Sequence, residues 1–178
     1  SSLSSMLRTK IVMTVPRVWL VPLNRLSDAL GNLDELRVAM FLKVEGGAQG
    51  KAVFVLDQNS AEIIVKKLLG QYAKEDLLHD EMAHSALKEI TNIMVSSFVT
   101  ALSTFSGIPL QISVPALGID MIGAMMDAVL TEGGRVDDKV LILDTKLSAC
   151  DANEEYEGVF LFIPEEGALD KLLGVFGI

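Results

Sequence analysis

Two periods of apolar and polar residues run along this chain and predict its helices and strands. Between residues 80 and 105 the apolar residues recur every three or four positions, which is typical of one face of a long α-helix. The residues of that face are Leu87, Ile90, Met94, Phe98, Ala101 and Phe105. Asp80 has the residue type of an N-cap. We therefore expect a helix over 80–105, followed by a strand over 112–115.

Shorter segments complete the predicted order of elements. Alternating or β-branched runs predict strands over 11–16, 18–21, 36–44, 51–56, 140–147 and 158–163. Helical periodicity and terminal glycines predict helices over 24–30, 60–69, 120–130 and 165–175. The glycines of 46–50 read as a hairpin loop and not as a phosphate loop, because no Gly-Lys-Ser/Thr follows them.

The same order of elements occurs twice, which indicates a tandem duplication. Thr14-Val-Pro16 aligns with Ser113-Val-Pro115 at an offset of 99 residues, and Leu3-Ser4 aligns with Leu102-Ser103 at the same offset. We expect one α+β domain over 1–178, with a first repeat over 1–70 and a second over 79–178. The two repeats would form a pseudo-two-fold, largely antiparallel sheet with long helices packed on it.

The polar side of the long helix has an unusual composition. Its residues are Ser85, Glu89, Asn92, Ser96 and Ser103, which recur at near-helical steps. A solvated helix face usually carries several Lys, Glu and Arg residues, whereas this one carries one charge, one amide and small hydroxyls. A plain solvated face remains one interpretation. The other is a surface suited to close approach by a partner, with Glu89 and Asn92 projecting from it.

Composition excludes several classes of function. The 178 residues carry a net charge of −9, which disfavours binding to nucleic-acid phosphates or an anionic membrane. Half of the residues are hydrophobic, but no apolar run is long enough to span a membrane. The single cysteine, Cys150, suits a reducing cytosol, so we expect a cytoplasmic protein. His79 and His84 have no accompanying ligand cluster, and no metal site is expected.

The spacing of four residues gives a family resemblance. Ser85-x3-Glu89-x2-Asn92, followed by 22 residues and Pro115, resembles the signature of the CheC/CheX/FliY family of chemotaxis phosphatases. The resemblance extends through residues 119–123 and the flanking patterns of strands and helices. It implies the duplicated fold described above and a substrate, the aspartyl phosphate of the response regulator CheY.

The resemblance also implies roles for the motif residues. Asn92 would orient the attacking water, since an amide offers donors and an acceptor without charge. Glu89 would pair with a cation of the regulator. Ser85 and Ser96 would support the motif by leaving room for close approach, and Pro115 would shape a neighbouring strand. The chain itself would bind no cofactor, because Mg²⁺ would come with the regulator.

Three kinds of function remain open from the sequence. The chain could be a CheC-type phosphatase, the phosphatase-like middle domain of a FliY-type flagellar switch protein, or a docking module for a regulator or for CheD that catalyses no reaction. The 99-residue offset makes Pro16 a remnant of a first site, and Ser1–Met6 would be the end of a helix. We accordingly expect about two dozen further residues upstream, with a first Glu-x2-Asn. An apolar groove left beside that helix would favour a homodimer.

Overall fold

The computed structural model describes residues 11–70, 76, 78–149 and 154–175. Seven strands form one sheet: β1 (Ile11–Pro22), β2 (Leu36–Gly46), β3 (Gly50–Asp57), β4 (Leu110–Ile112), β5 (Ala116–Met121), β6 (Lys139–Ala149) and β7 (Glu155–Pro164). The helices are α1 (Ser27–Leu30), α2 (Gln58–Leu69), α3 (Glu81–Ser106), α4 (Ile122–Thr131) and α5 (Ala168–Val175), and a 3-10 turn, Leu23–Arg25, precedes α1. This is the α+β architecture that the sequence predicts. The expectations about Ser1–Met6 and Cys150 concern residues outside the described ranges.

The sheet is antiparallel throughout its named strand pairs and has a symmetric order. The order is β1-β6-β7-β3-β2, and both β4 and β5 pair with the outer side of β2. With β5 as the outer neighbour of β2, the order is β1-β6-β7-β3-β2-β5. Replacing β1, β2 and β3 by β5, β6 and β7, and the reverse, gives the same order read from the other edge of the sheet. At the centre, Phe54 of β3 lies opposite Phe160 of β7 in register. The sheet therefore has the pseudo-two-fold arrangement expected of a duplicated fold.

Helices cover the sheet on both faces, which explains why its central strands are apolar at successive positions. Along β3, Ala52, Phe54 and Leu56 join a core with α2 and α3 on one face, while Val53 and Val55 join a second core with α1 and α4. A strand buried on both faces carries a continuous apolar run instead of an alternating one. This packing fixes α3 to one face and α4 to the other.

Helix α3 begins and ends at residues whose chemistry caps it. The Asp80 carboxylate accepts the backbone N–H of Met82, which confirms the predicted N-cap. At the other end Gly107 adopts φ 73°, a left-handed conformation that glycine takes without steric cost, and its N–H donates to the Ser103 carbonyl. The Ser103 hydroxyl donates to the Ile108 carbonyl, so this residue belongs to the helix end and not to the polar stripe.

The predicted apolar face of α3 is correct in its first half and wrong at its end. Leu87, Ile90 and Met94 are buried, but Ala101 is exposed and Phe105 is 75% exposed. The later turns instead bury Val95 and Val99. The helix has 26 residues and packs on a twisted sheet, so the line of contact moves around the helix along its length. The predicted apolar face, which has a constant period, therefore does not stay buried along the whole helix.

The predicted strand over 112–115 is also wrong, because the edge strand is interrupted there. Strand β4 ends at Ile112 and β5 starts at Ala116. Ser113 donates its N–H to the Lys43 carbonyl and accepts the Lys43 N–H with its hydroxyl, after which Val114 turns outward with 86% of its surface exposed. Pro115 has no N–H to donate to a strand partner. Strand β1 has a register irregularity between Thr14 and Arg17, at the position equivalent under the repeat.

Two predicted helix starts are early. The helix expected over 120–130 begins at Ile122, because Asp120 and Met121 still pair with β2. The helix expected over 165–175 begins at Ala168, because Glu165 forms an isolated bridge with Val136. Both segments thus extend the preceding strands before the helices start.

Candidate functional site

Glu89 and Asn92 lie three residues apart in the first half of α3, and both are partly buried. Residues at this spacing are neighbours on a helix surface, with Cβ atoms about 5–6 Å apart. Neither side chain forms a hydrogen bond or ion pair with another residue of the described ranges. The carboxylate and the amide are therefore both available to a partner.

The small hydroxyl residues around this pair fall into two groups. Ser85 is exposed and Ser96 is partly buried, and both keep the predicted helical spacing from Glu89 and Asn92. Thr91 and Ser97 instead donate their hydroxyls to carbonyls one turn earlier, those of Leu87 and Ile93. Such hydroxyls are satisfied within the helix. The small side chains of Ser85 and Ser96 therefore flank the pair on α3, while the hydroxyls of Thr91 and Ser97 are used within the helix.

Lys88 was not singled out in the sequence analysis. It is partly buried on α3, directly before Glu89 and one turn before Asn92. The sequence shows that Lys88 stands beside the motif. It does not show which side chains lie within reach of the Lys88 ammonium group.

The two prolines of the predicted motif occupy the irregular segments of the edge strands. Pro115 is buried in the interruption between β4 and β5, and both of these strands contact α3. Pro16 is exposed within the irregularity of β1. The structure thus gives each proline a place in the sheet edge, whereas Glu89 and Asn92 lie on the helix packed above it.

Two grooves flank these elements. One of about 750 Å³ lies between α3 and β1 and is lined by Ile11, Met13, Ile90, Ile93, Met94, Ser96, Ser97, Thr100 and Ala101. The other, of about 600 Å³, lies on the α4 side of the sheet, with Phe41, Val53 and Met125 among its lining residues. Glu89 and Asn92 line neither groove. The pair therefore lies on the surface of α3 outside both grooves.

The groups with perturbed pKa values lie away from this pair. Hydrogen bonds from two side chains lower the pKa of the exposed Glu154 carboxyl, and the one from Tyr156 has a larger effect than the one from Lys67. The same cluster raises the pKa of Lys67. Ahead of α3, a hydrogen bond with His79 lowers the pKa of the exposed Asp76 carboxyl. These surface pairs order loops and helix ends and do not contact the motif.

Two negative findings apply to the part of the chain that the structure describes. No group of three or more His, Cys, Asp or Glu side chains converges there. None of the described helices combines the length and the apolar character needed to cross a bilayer.

Comparison with known proteins identifies the family. Residues 82–119, which contain Glu89, Asn92 and Pro115, match the model of the CheC-like family. A relative named CheY-P phosphatase CheC, from Bacillus subtilis, is 31% identical over 179 aligned residues, covering 99% of this chain and 86% of that protein.

Two further relatives carry the FliY name. Flagellar motor switch phosphatase FliY of Bacillus subtilis is 32% identical over 116 residues, covering 65% of this chain and 30% of that protein. The crystal structure of Thermotoga maritima FliY superposes with a TM-score of 0.72 at 22% identity, covering 98% of this chain and 86% of that one. The first relative matches nearly the whole chain at more than 30% identity, and the chain therefore belongs to the CheC-like family.

Proposed function

We propose that this protein is a phosphatase that accelerates hydrolysis of the aspartyl phosphate on phosphorylated CheY. The observation that carries the proposal is the pairing of Glu89 and Asn92 on the surface of α3, with neither side chain engaged by the described residues. The similarity to a protein named CheY-P phosphatase CheC supports the substrate.

A pair of polar groups on a helix surface suits a reaction whose phosphoryl group is carried by the partner. The aspartyl phosphate is covalently attached to the regulator, so the phosphatase must bring its groups to that site. Helix α3 presents Asn92 between Ser85 and Ser96, whose small side chains allow the helix to approach closely. The regulator's acidic pocket would hold Mg²⁺, which neutralises charge on the phosphoryl group.

Asn92 is proposed to position the attacking water. Phosphoryl transfer passes through a loose transition state, so orientation of the nucleophile matters more than its deprotonation. The amide of Asn92 can accept a hydrogen bond from water and direct an oxygen lone pair towards phosphorus, in line with the leaving carboxylate. A carboxylate in the same place would be repelled by the phosphoryl oxygens. The gain comes from effective concentration of a correctly placed water.

Glu89 is proposed to bind the regulator. Its carboxylate has no cationic partner among the described residues, so it can pair with an active-site lysine or another cation across the interface. Such a pair would fix the position of α3 in the regulator's cleft and hold Asn92 over the phosphorus.

A second candidate function is the phosphatase-like domain of a flagellar switch protein. The likeness to the two FliY proteins favours it, since this chain matches 30% of the length of the Bacillus subtilis protein. In that case we propose that the domain is located at the flagellar switch. If the protein is a CheC-type phosphatase, we propose a cytoplasmic location.

Two further partners are proposed. One is CheD. The other is a second copy of this protein, which would form a homodimer through the groove between α3 and β1.

The direct test measures the lifetime of phosphorylated CheY. Regulator that has been phosphorylated and freed of excess phosphodonor is mixed with catalytic amounts of this protein in the presence of Mg²⁺, and phosphate release is followed. We expect multiple turnovers and faster decay than in the regulator alone. An unchanged lifetime, with binding retained, would leave the docking module as the function.

A further inference from the structure

Lys88 is the only lysine or arginine on α3, and from Ile90 to Ser106 the helix carries no charged residue. Residues four apart lie on the same helix face, so Lys88 neighbours Asn92. Adjacent residues diverge by about 100° on a helix, so Lys88 does not stack on Glu89. A single cation thus stands beside the proposed water-positioning amide.

The ammonium group of Lys88 has no counter-ion among the residues that the structure describes. The residues three and four positions away are His84, Ser85, Thr91 and Asn92, which include no carboxylate. Across the described ranges, no hydrogen bond or ion pair of the Lys88 side chain is present.

The two other partly buried lysines of the described ranges, Lys51 and Lys146, are engaged. Lys146 pairs with Glu155, and the Lys51 ammonium donates to the carbonyls of Val129 and Glu132 at the end of α4. Among the lysines and arginines of the described ranges, Lys88 is therefore the one that is both partly buried and unpaired.

The charge of this cation solves a problem that the proposed reaction creates. The protein has a net charge of −9 and presents Glu89 to its substrate, while the substrate carries an anionic phosphoryl group. Like charges brought together repel, and exposed charges act over about 10 Å at ordinary ionic strength. We propose that Lys88 is a substrate-recognition residue whose ammonium group faces the phosphoryl oxygens and attracts the phosphorylated regulator to Asn92. This role rests on the proposed phosphatase function.

The test compares three variants in steady-state dephosphorylation of phosphorylated CheY, at low and high salt. Lys88→Gln removes the charge, Lys88→Arg keeps it, and Lys171→Gln removes an exposed lysine charge on α5 as a matched control. We expect Lys88→Gln to raise KM about fivefold at low ionic strength and less than about twofold at ~0.5 M salt, with kcat little changed. Lys88→Arg should behave like the wild type, and so should Lys171→Gln.

The outcomes distinguish a failure of the proposed function from a failure of the proposed role of Lys88. A wild-type protein that does not shorten the lifetime of the phosphorylated regulator overturns the proposed function and this role together. An active wild type, with Lys88→Gln matching Lys171→Gln in KM at both salt concentrations, overturns the role of Lys88 alone. Equal losses in Lys88→Gln and Lys88→Arg would show that packing matters and the charge does not, which also overturns it. Thermal unfolding of all three variants checks that each is folded.

Discussion

Asn92 follows Glu89 by three residues on α3, and neither side chain is bonded to any other described residue. The neighbouring hydroxyls of Thr91 and Ser97 are bonded to their own helix. This contrast leaves the Glu89 carboxylate and the Asn92 amide, with the neighbouring Lys88 ammonium, without partners among the described residues at this turn of the helix. This arrangement is the basis for proposing that Asn92 positions the attacking water and that Glu89 contacts the regulator.

Replacing Glu89 should affect binding more than chemistry. We expect Glu89→Ala to raise the half-saturating concentration of phosphorylated CheY about tenfold or more, because a charge-assisted pair across the interface is lost. The maximal single-turnover rate should change little. Glu166→Ala, which removes an exposed charge next to α5, is the control. A collapsed maximal rate with unchanged half-saturation would instead make Glu89 part of the chemistry.

The N-cap of α3 should contribute measurably to stability. Asp80→Ala removes the acceptor of the Met82 N–H and should lower the free energy of unfolding by about 1 kcal/mol. Asp80→Asn retains a side-chain acceptor and should lose less. Chemical denaturation of both variants measures the difference. Equal stability of the alanine and asparagine variants would argue against a capping role.

A buried and an exposed apolar side chain should differ strongly in their contribution to stability. Phe54 is 1% exposed at the centre of the sheet, whereas Val114 is 86% exposed between β4 and β5. Phe54→Ala should therefore destabilise the protein by about 3–5 kcal/mol. Val114→Ala should fall within about 0.5 kcal/mol of the wild type. Similar losses from the two variants, measured by denaturant unfolding, would contradict the packing described for the sheet.

Local chemistry made much of this fold predictable from the sequence. The cap at Asp80, the glycine that ends α2 and the order of strands and helices from β1 onwards each depend on nearby residues, and the described residues show all of them. The interruption at Ser113–Pro115 was not predicted. It depends on hydrogen bonds to Lys43, which lies 70 residues earlier. The exposure of Phe105 depends on how α3 crosses the sheet, which no local pattern records.

The candidate site was predictable to a similar extent. The spacing of Glu89 and Asn92 placed both on one helix face. The sequence could not show that both side chains, and that of Lys88 beside them, lack partners in the described part of the chain, because this depends on which other residues lie within reach. Catalytic roles for the pair remain predictions that mutation must test.

The most direct test of the account is single-turnover decay of phosphorylated CheY with the wild type, Asn92→Ala and Asn59→Ala. Asn59 is an exposed asparagine of α2 and provides the matched control. We predict that Asn92→Ala lowers the accelerated rate by about 100-fold or more, because the water is no longer held in line. Its unfolding free energy should stay within about 0.5 kcal/mol of the wild type, and Asn59→Ala should retain full activity. Wild-type decay rates with folded Asn92→Ala would contradict the assignment.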